Sequence, residues 1–254
     1  MIENKKLRVK LGENGGVAGL WLKDDIYKMN WVMDQDYLHD AGYKDDDKMF
    51  GYYDITVNGE KKNSQSICPV IKKDNQKVLV THDFEDVKIE MLYDLEQNDE
   101  ELHWNIILHN KTDKRITVDE FGIWISFAYV MFRDKNVLRN IHESAAVFPS
   151  ISKNYTKLNI VRRDGKNGNI GMYQTKGETN SVGTYCDYVN LFFENVSPSL
   201  DGMLFHKLYL AGGYPKDFKN ADWIYSKEGF CLEPNGNRIW DTLILSLSKK
   251  ELYF

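Results

Sequence analysis

Three observations predict an all-β protein built as a large antiparallel two-sheet sandwich with few short helices. Apolar and polar residues alternate with period two in segment after segment, as in strands whose two faces meet different surroundings. Asn-Gly and Asp-Gly pairs, which tolerate the positive φ of tight hairpins, punctuate those segments. No stretch sustains a 3.6-residue apolar period over three turns, and no alternating β-α pattern implies a parallel doubly wound sheet.

Taken along the chain, the first strands are Leu7–Leu11 and Val17–Leu22, joined by Asn14-Gly15-Gly16. The stretch Asp34–Lys48 carries Asp36, His39, Asp40, Asp45, Asp46 and Asp47 with Tyr37 and Tyr43, and reads as a solvated excursion over one mouth of the sandwich. Gly51–Val57 precedes the Asn58-Gly59 turn, and Lys77–Thr81 and Val87–Tyr93 follow. In the next strand Leu102, Trp104, Ile106 and Leu108 share one face, while His103, Asn105 and His109 take the other. After the polar turn Asn110–Lys114, the residues Phe121, Ile123, Ile125 and Phe127 point one way and Glu120, Gly122, Trp124 and Ser126 the opposite way. Lys157–Arg162, Ile170–Thr175, Tyr188–Phe193 and Met203–Leu210 continue the series, with turns at Asp164-Gly165 and Asn167-Gly168. A short helix is expected around Pro215–Tyr225; then a strand ending at Glu233, the Pro234-Asn235-Gly236 hairpin and the strand Ile239–Ser248 close the chain.

A dozen strands in one open sheet would curl or split, so two sheets packed face to face are expected. Composition is even throughout its 254 residues, with no linker or fixed-period repeat, and residues 1–254 read as one domain. Lys and Arg total 33 against 38 Asp and Glu, a formal charge of −5 with no basic stripe, so nucleic acid is not an expected partner. Cys68, Cys186 and Cys231 are odd in number and form no CxxC pair, which points to reduced thiols rather than a disulfide or zinc framework. No 18-residue apolar run suggests a membrane span, and as the chain stands it reads as cytoplasmic; removal of a leader from a longer precursor would make it secreted.

Candidate chemistry is sparse. Asp45-Asp46-Asp47 lacks the alternating oxygens and bend glycine of a calcium loop and reads as a hydrated surface run, so neither metal nor cofactor is expected. There is no G-x-S-x-G elbow and no cysteine signature for nucleophilic catalysis. His103 and His109 stand six residues apart, about 20 Å along a strand, too far to share a ligand. His206 falls on the face of Leu204, Leu208 and Leu210, as a core histidine would; His142, beside Glu143 and after Arg139, lines a loop. Sugar sites combine a flat aromatic ring with planar polar groups, and the chain holds 6 Trp and 15 Tyr. Trp124, sharing a face with Glu120 and Ser126, is expected to stand exposed beside a carboxylate as a sugar platform, or else to lie under another sheet or domain. Glu233 would serve as a base if burial raised its pKa and His206 or His142 stood opposite as acid; otherwise it is a hairpin residue paired with Arg238.

Together, Trp104-Asn105-Ile106, Asn110-Lys111-Thr112-Asp113 and Val118-Asp119-Glu120-Phe121-Gly122 resemble the central strands of galactose-mutarotase-like β-supersandwich domains. Gly15–Leu20 with Met29-Asn30-Trp31-Val32 is similar to the opening of such domains in bacterial glycoside hydrolases of uncharacterised families, and Pro234-Asn235-Gly236 resembles their closing hairpin. The resemblance implies one of two functions. Domains of this kind that precede an α/α-barrel glycosidase lack catalytic residues; this chain looks more like those, which implies a supporting or glycan-binding part with a carbohydrate or an adjoining catalytic domain as partner. Trp124, Glu120, Tyr43 and Arg139 are then the candidate contacts. The alternative is an aldose 1-epimerase-like enzyme, in which Glu233 maps onto the family's glutamate and His206 and His142 are the candidate acids, although the family's paired-histidine pattern is not evident.

Overall fold

The computed structural model describes residues 1–33, 35–36, 46–127, 142–152, 155–165, 168–186, 191–194, 204–213 and 228–247. Within them the expected all-β architecture holds. An eight-stranded antiparallel sheet contains β6 (Val70–Asp74), β7 (Lys77–Asp83), β8 (Val87–Asp94), β9 (Glu101–Asn110), β11 (Ala145–Ser152), β12 (Tyr155–Arg162), β13 (Asn169–Lys176) and β18 (Asn237–Leu247), in the order β11-β12-β13-β18-β9-β8-β7-β6. A seven-stranded sheet contains β4 (Tyr53–Val57), β5 (Glu60–Asn63), β10 (Ile116–Trp124), β14 (Ser181–Cys186), β15 (Leu191–Glu194), β16 (Leu204–Ala211) and β17 (Phe230–Leu232). Its order is β15-β14-β16-β10-β4-β5, with β17 also paired to β10. A third, small sheet of β1 (Ile2–Glu3), β2 (Leu7–Leu11) and β3 (Val17–Leu22) was not anticipated as a separate layer.

Alternation explains the core. Leu102, Trp104, Ile106 and Leu108 of β9 are all buried, each adding about 1.5–3 kcal/mol of apolar transfer. From the other sheet they meet Ile55, Val57, Phe121 and Ile123 in one hydrophobic cluster. Rings touch across the gap: Phe121 lies edge-on to Trp240 with centroids 5.7 Å apart. The small sheet joins the same cluster through Leu7, Val9, Leu20 and Leu22, and is tied on by Val17 N–H donating to the Phe50 carbonyl (2.8 Å). The Asn58-Gly59 turn has positive φ at both residues (51° and 80°), which joins β4 to β5 as the dipeptide suggests.

Five strands escaped the period-two reading, β1, β5, β6, β11 and β14, and for three of them the reason is plain. β5 (Glu-Lys-Lys-Asn) and β6 are edge strands with mostly exposed polar residues, where charged edges discourage pairing with another chain. β14 is Ser-Val-Gly-Thr-Tyr-Cys, whose Ser181, Val182 and Thr184 are all buried, so no wet face marks it. The expected helix at 215–225 lies outside the described residues. The excursion at 34–48 is described only at residues 35–36 and in the turn of 3-10 helix Asp46–Lys48.

Candidate functional site

The site is on the face of the seven-stranded sheet that looks away from the core. In β10, Ile116 and Val118 point inward, and so do Phe121, Ile123, Ile125 and Phe127 just beyond. The step from Val118 to Phe121 is three residues rather than two, because the pairing with β4 shifts between Val118 and Glu120. This bulge turns Glu120, Gly122 and Trp124 onto the outer face. Across the sheet the registers are Asp54↔Gly122↔Tyr209 and Trp124↔Lys207. Alternation in β16 sends Phe205, Lys207 and Tyr209 outward, with His206 and Leu208 inward.

Lys207 is the centre of this face. Its side chain is 7% exposed, and its Nζ donates to Asp54 Oδ2 at 2.6 Å and lies 3.7 Å from Glu120 Oε1. The ammonium also sits 5.0 Å from the Trp124 ring centroid and 5.4 Å from that of Tyr209, within cation–π range. Gly122 makes room for it: a Cβ there would come 2.5 Å from Lys207 Cε. A second ammonium, Lys48 Nζ, lies 5.9 Å from Trp124 and 5.2 Å from Tyr185 and pairs with Asp47 at 2.8 Å.

Trp124 and Glu120 are therefore brought together as expected from sequence, but the exposed Trp platform needs correction. Trp124 is 4% exposed, packed in a second cluster with Met33, Met49, Tyr52 and Phe205. Chain that returns over this face covers it: Met33 N–H donates to the Ser126 carbonyl (2.9 Å) and Ser126 Oγ to the Lys48 carbonyl (2.6 Å). The half-buried aromatic ring on this face is Tyr185, packed against the same cluster. Asp54 and Lys207 were missed by sequence reading. The available signals were Asp54 on the polar side of Tyr53–Val57 and a lone lysine between Phe205 and Tyr209.

The alternative trio occupies three different environments. His206 is fully buried on the core side of β16, and burial pushes its pKa down to about 3, which leaves it neutral and unsuited as an acid. Glu233 has a side chain 73% exposed and lies 3.4 Å from Arg115; its expected partner Arg238 instead pairs with Glu178 at 3.1 Å. His142 Nδ1 lies 2.8 Å from Asp164 Oδ2, and its ring stacks on Tyr27 at 4.3 Å and 7°. The His142 carbonyl accepts from Arg162, whose guanidinium pairs with Asp25 at 2.5 Å, both side chains essentially unexposed. That assembly staples β12 to the turn after β3. Tyr43, Arg139 and Asp45 lie outside the described residues. Among the described residues no three His, Cys, Asp or Glu side chains are gathered as for a metal ion, and no helix is long and apolar enough to cross a membrane.

No protein-family model matches the sequence, and no curated protein matches it by sequence. Solved structures do match. A galactose mutarotase related enzyme from Lactobacillus acidophilus superposes with TM-score 0.53 at 10% identity, covering 97% of this chain and 96% of that one. The fold is that of a galactose-mutarotase-like β-sandwich domain. A polysaccharide lyase with this sandwich gives TM-score 0.72 at 16% identity, over 97% of this chain and 33% of the lyase. A 4-alpha-glucanotransferase from Thermococcus litoralis gives 0.53 at 9% identity, over 97% and 37%. This chain thus spans about a third of the length of the polysaccharide lyase and of the glucanotransferase and nearly all of the galactose mutarotase related enzyme.

Proposed function

We propose that this chain is the β-sandwich part of a carbohydrate-processing protein, contacting glycan or an adjoining catalytic domain through the outer face of the seven-stranded sheet and not catalytic by itself. The observation that carries the reading is the Asp54–Lys207–Glu120 triad set over Trp124, with Lys48 lying between that ring and Tyr185 on the same face, on a fold shared with carbohydrate-active enzymes. Half-exposed carboxylates accept hydroxyl hydrogens, and an aromatic ring edges the same surface, the two elements a sugar contact needs. Against catalysis by Glu233 stands its exposure beside Arg115. Tyr43 and Arg139 belong to the proposal as further contacts. The adjoining catalytic domain is proposed from the lyase and glucanotransferase, in each of which the matching region is a minor part.

Isothermal calorimetry of the chain against a panel of oligosaccharides tests the glycan contact. Binding that Tyr185→Ala and Glu120→Gln each weaken supports it. Absence of heat with every glycan reduces the face to a support for another domain.

A further inference from the structure

The three-stranded sheet turns one face to the core and the other outward. Leu7, Val9, Leu20 and Leu22 point inward, so the pairs between them, Arg8↔Trp21 and Lys10↔Gly19, point outward, and Glu3 of β1 joins them opposite Arg8. Lys6 and Lys23 continue that row, linked by the Lys23 N–H donating to the Lys6 carbonyl (2.8 Å). Of the described tryptophans, Trp31, Trp104, Trp124 and Trp240 are buried and Trp21 alone is half-buried. Its six-membered ring lies over Gly19, where a Cβ would run into Cη2, Cζ3 and Cζ2. Gly19 has no positive φ, so room for the indole, rather than backbone freedom, calls for glycine there. A ring over a strand glycine is by itself a packing device, and Tyr173 over Gly171 is another. The difference lies on the far side of the ring. Lys157 sits over Tyr173 at 5.6 Å, whereas no second ring, ammonium or guanidinium lies over Trp21, although four cations share its face.

We propose that this face is a binding site for an acidic glycan: a uronate ring stacks on Trp21, and Lys10 and Arg8 receive its carboxylate. The site is separate from the seven-stranded sheet and stands whether or not that sheet contacts glycan. Charge sets the class of ligand. Lys6, Arg8, Lys10 and Lys23 face Glu3 and Asp24 alone, four cations against two carboxylates, on a chain whose net charge is −5. Asp24 pairs with Lys6 at 3.5 Å, and Glu3 with Arg8 at 2.9 Å and Lys23 at 3.6 Å. Lys10 pairs with neither and, directly opposite Gly19, stands at the edge of the indole. Arg8 spends only Nε on Glu3, which leaves its Nη groups for a second acceptor. Bonds from such cations to a carboxylate are of the stronger, charge-assisted kind, and the open π face takes the C–H side of a pyranose. Bases of single-stranded nucleic acid also stack on tryptophan, but a phosphate backbone calls for a longer run of unpaired cations than one lysine and one half-spent arginine.

The test titrates the 254-residue chain with tetramers of galacturonate, glucuronate and mannuronate, with their neutral hexose counterparts and with a short oligothymidylate, reading heat and tryptophan emission at low and moderate salt. The expected result is that at least one uronate tetramer changes the emission, binds at least tenfold more tightly than its neutral counterpart and weakens as salt rises. Trp21→Ala should abolish the emission change and cost at least tenfold in affinity, while Trp21→Phe, which keeps a flat ring, should recover part of that affinity. Lys10→Gln, at an exposed position, should narrow the gap between uronate and neutral probes without moving the melting temperature. Where Trp21→Ala itself lowers the melting temperature, Trp21→Phe and Lys10→Gln decide. No binding of any uronate, binding that Trp21→Ala leaves intact, or a uronate preference that Lys10→Gln leaves intact overturns the proposal, and so does tighter binding of the oligothymidylate through the same residues. Neutral-glycan binding that Tyr185→Ala weakens and Trp21→Ala does not belongs to the seven-stranded sheet, so the two readings fail separately.

Discussion

Lowering the pH from 7 to 5 should destabilise this protein by about 4 kcal/mol through two core histidines. His82 of β7 and His206 of β16 are 1% and 0% exposed. Burial depresses their pKa values to about 4 and about 3, that of His82 partly offset by the nearby Ser64 backbone. Both are held neutral in the folded state. In the unfolded chain each titrates near 6.5, so below that pH the unfolded state binds a proton the folded state refuses. Stability is thus lost as pH falls from about 6.5, at about 1.4 kcal/mol per pH unit for each histidine, until the folded pKa is reached. Integrated from pH 7 to pH 5, each contributes about 2 kcal/mol.

The endpoint of pH 5 matters. The Glu3 and Glu90 carboxyls are also held below their ordinary value, by Arg8 and Lys23 and by Lys88 and His109, but their loss is felt only below about 4.5. Urea unfolding followed by tryptophan fluorescence at pH 7, 6 and 5 reads the slope. His206→Leu, on the face of Leu208 and Leu210, should halve it, and His82→Leu should remove the remainder. A parent protein whose stability changes by less than about 1 kcal/mol, or a double variant with the parent's slope, would refute the attribution to these two imidazoles.

Three further outcomes are expected. Arg162→Met should lower stability by about 3–5 kcal/mol, because it strands a carboxylate that is 1% exposed, whereas Arg162→Met combined with Asp25→Leu should recover much of the loss in the same urea titration. Gly122→Ala should push Lys207 Cε, 2.5 Å from the new Cβ, away from Asp54, and reduce glycan binding measured by calorimetry severalfold while circular dichroism stays unchanged. Glu233→Gln should alter stability by no more than about 0.5 kcal/mol, since the side chain is 73% exposed and its ion pair is with the likewise accessible Arg115; a larger loss in thermal melts would show a role the exposed position does not suggest.

The parts legible in the sequence are those where one side chain in two is apolar and the other faces water. β9 and the Phe121, Ile123, Ile125 and Phe127 row follow directly, and so does the inward aim of His206. What the rhythm does not carry is the cover on an outer face. Trp124 stands on the polar side of its strand, yet Met33, Met49 and Tyr52, about 70–90 positions earlier, fold over it. That is a long-range event with no local signature. Edge strands such as β5 are illegible for the opposite reason, because one neighbour and full solvation remove the contrast between faces. Asp54 and Lys207 were within reach as polar residues at alternate positions, but nothing local ties positions 54 and 207 together; only the register of β4 and β16 on either side of β10 does.

That register also explains why the triad forms where it does. With unbroken period two, Glu120 would follow Ile116 and Val118 to the inside and leave an uncompensated carboxylate among Phe121 and its neighbours, a cost the fold could not absorb. The extra residue in β10 reverses the sides. Asp119 takes up the slack and is anchored there, its Oδ2 accepting the Gly59 N–H at 3.1 Å across the β4-β5 turn. A second shift, between Phe121 and Gly122 against β16, places Trp124 opposite Lys207. The bulge therefore serves core and site together: it returns Phe121 and Ile123 to the interior and, by the same rotation, sets Glu120 beside the one ammonium that Asp54 already holds.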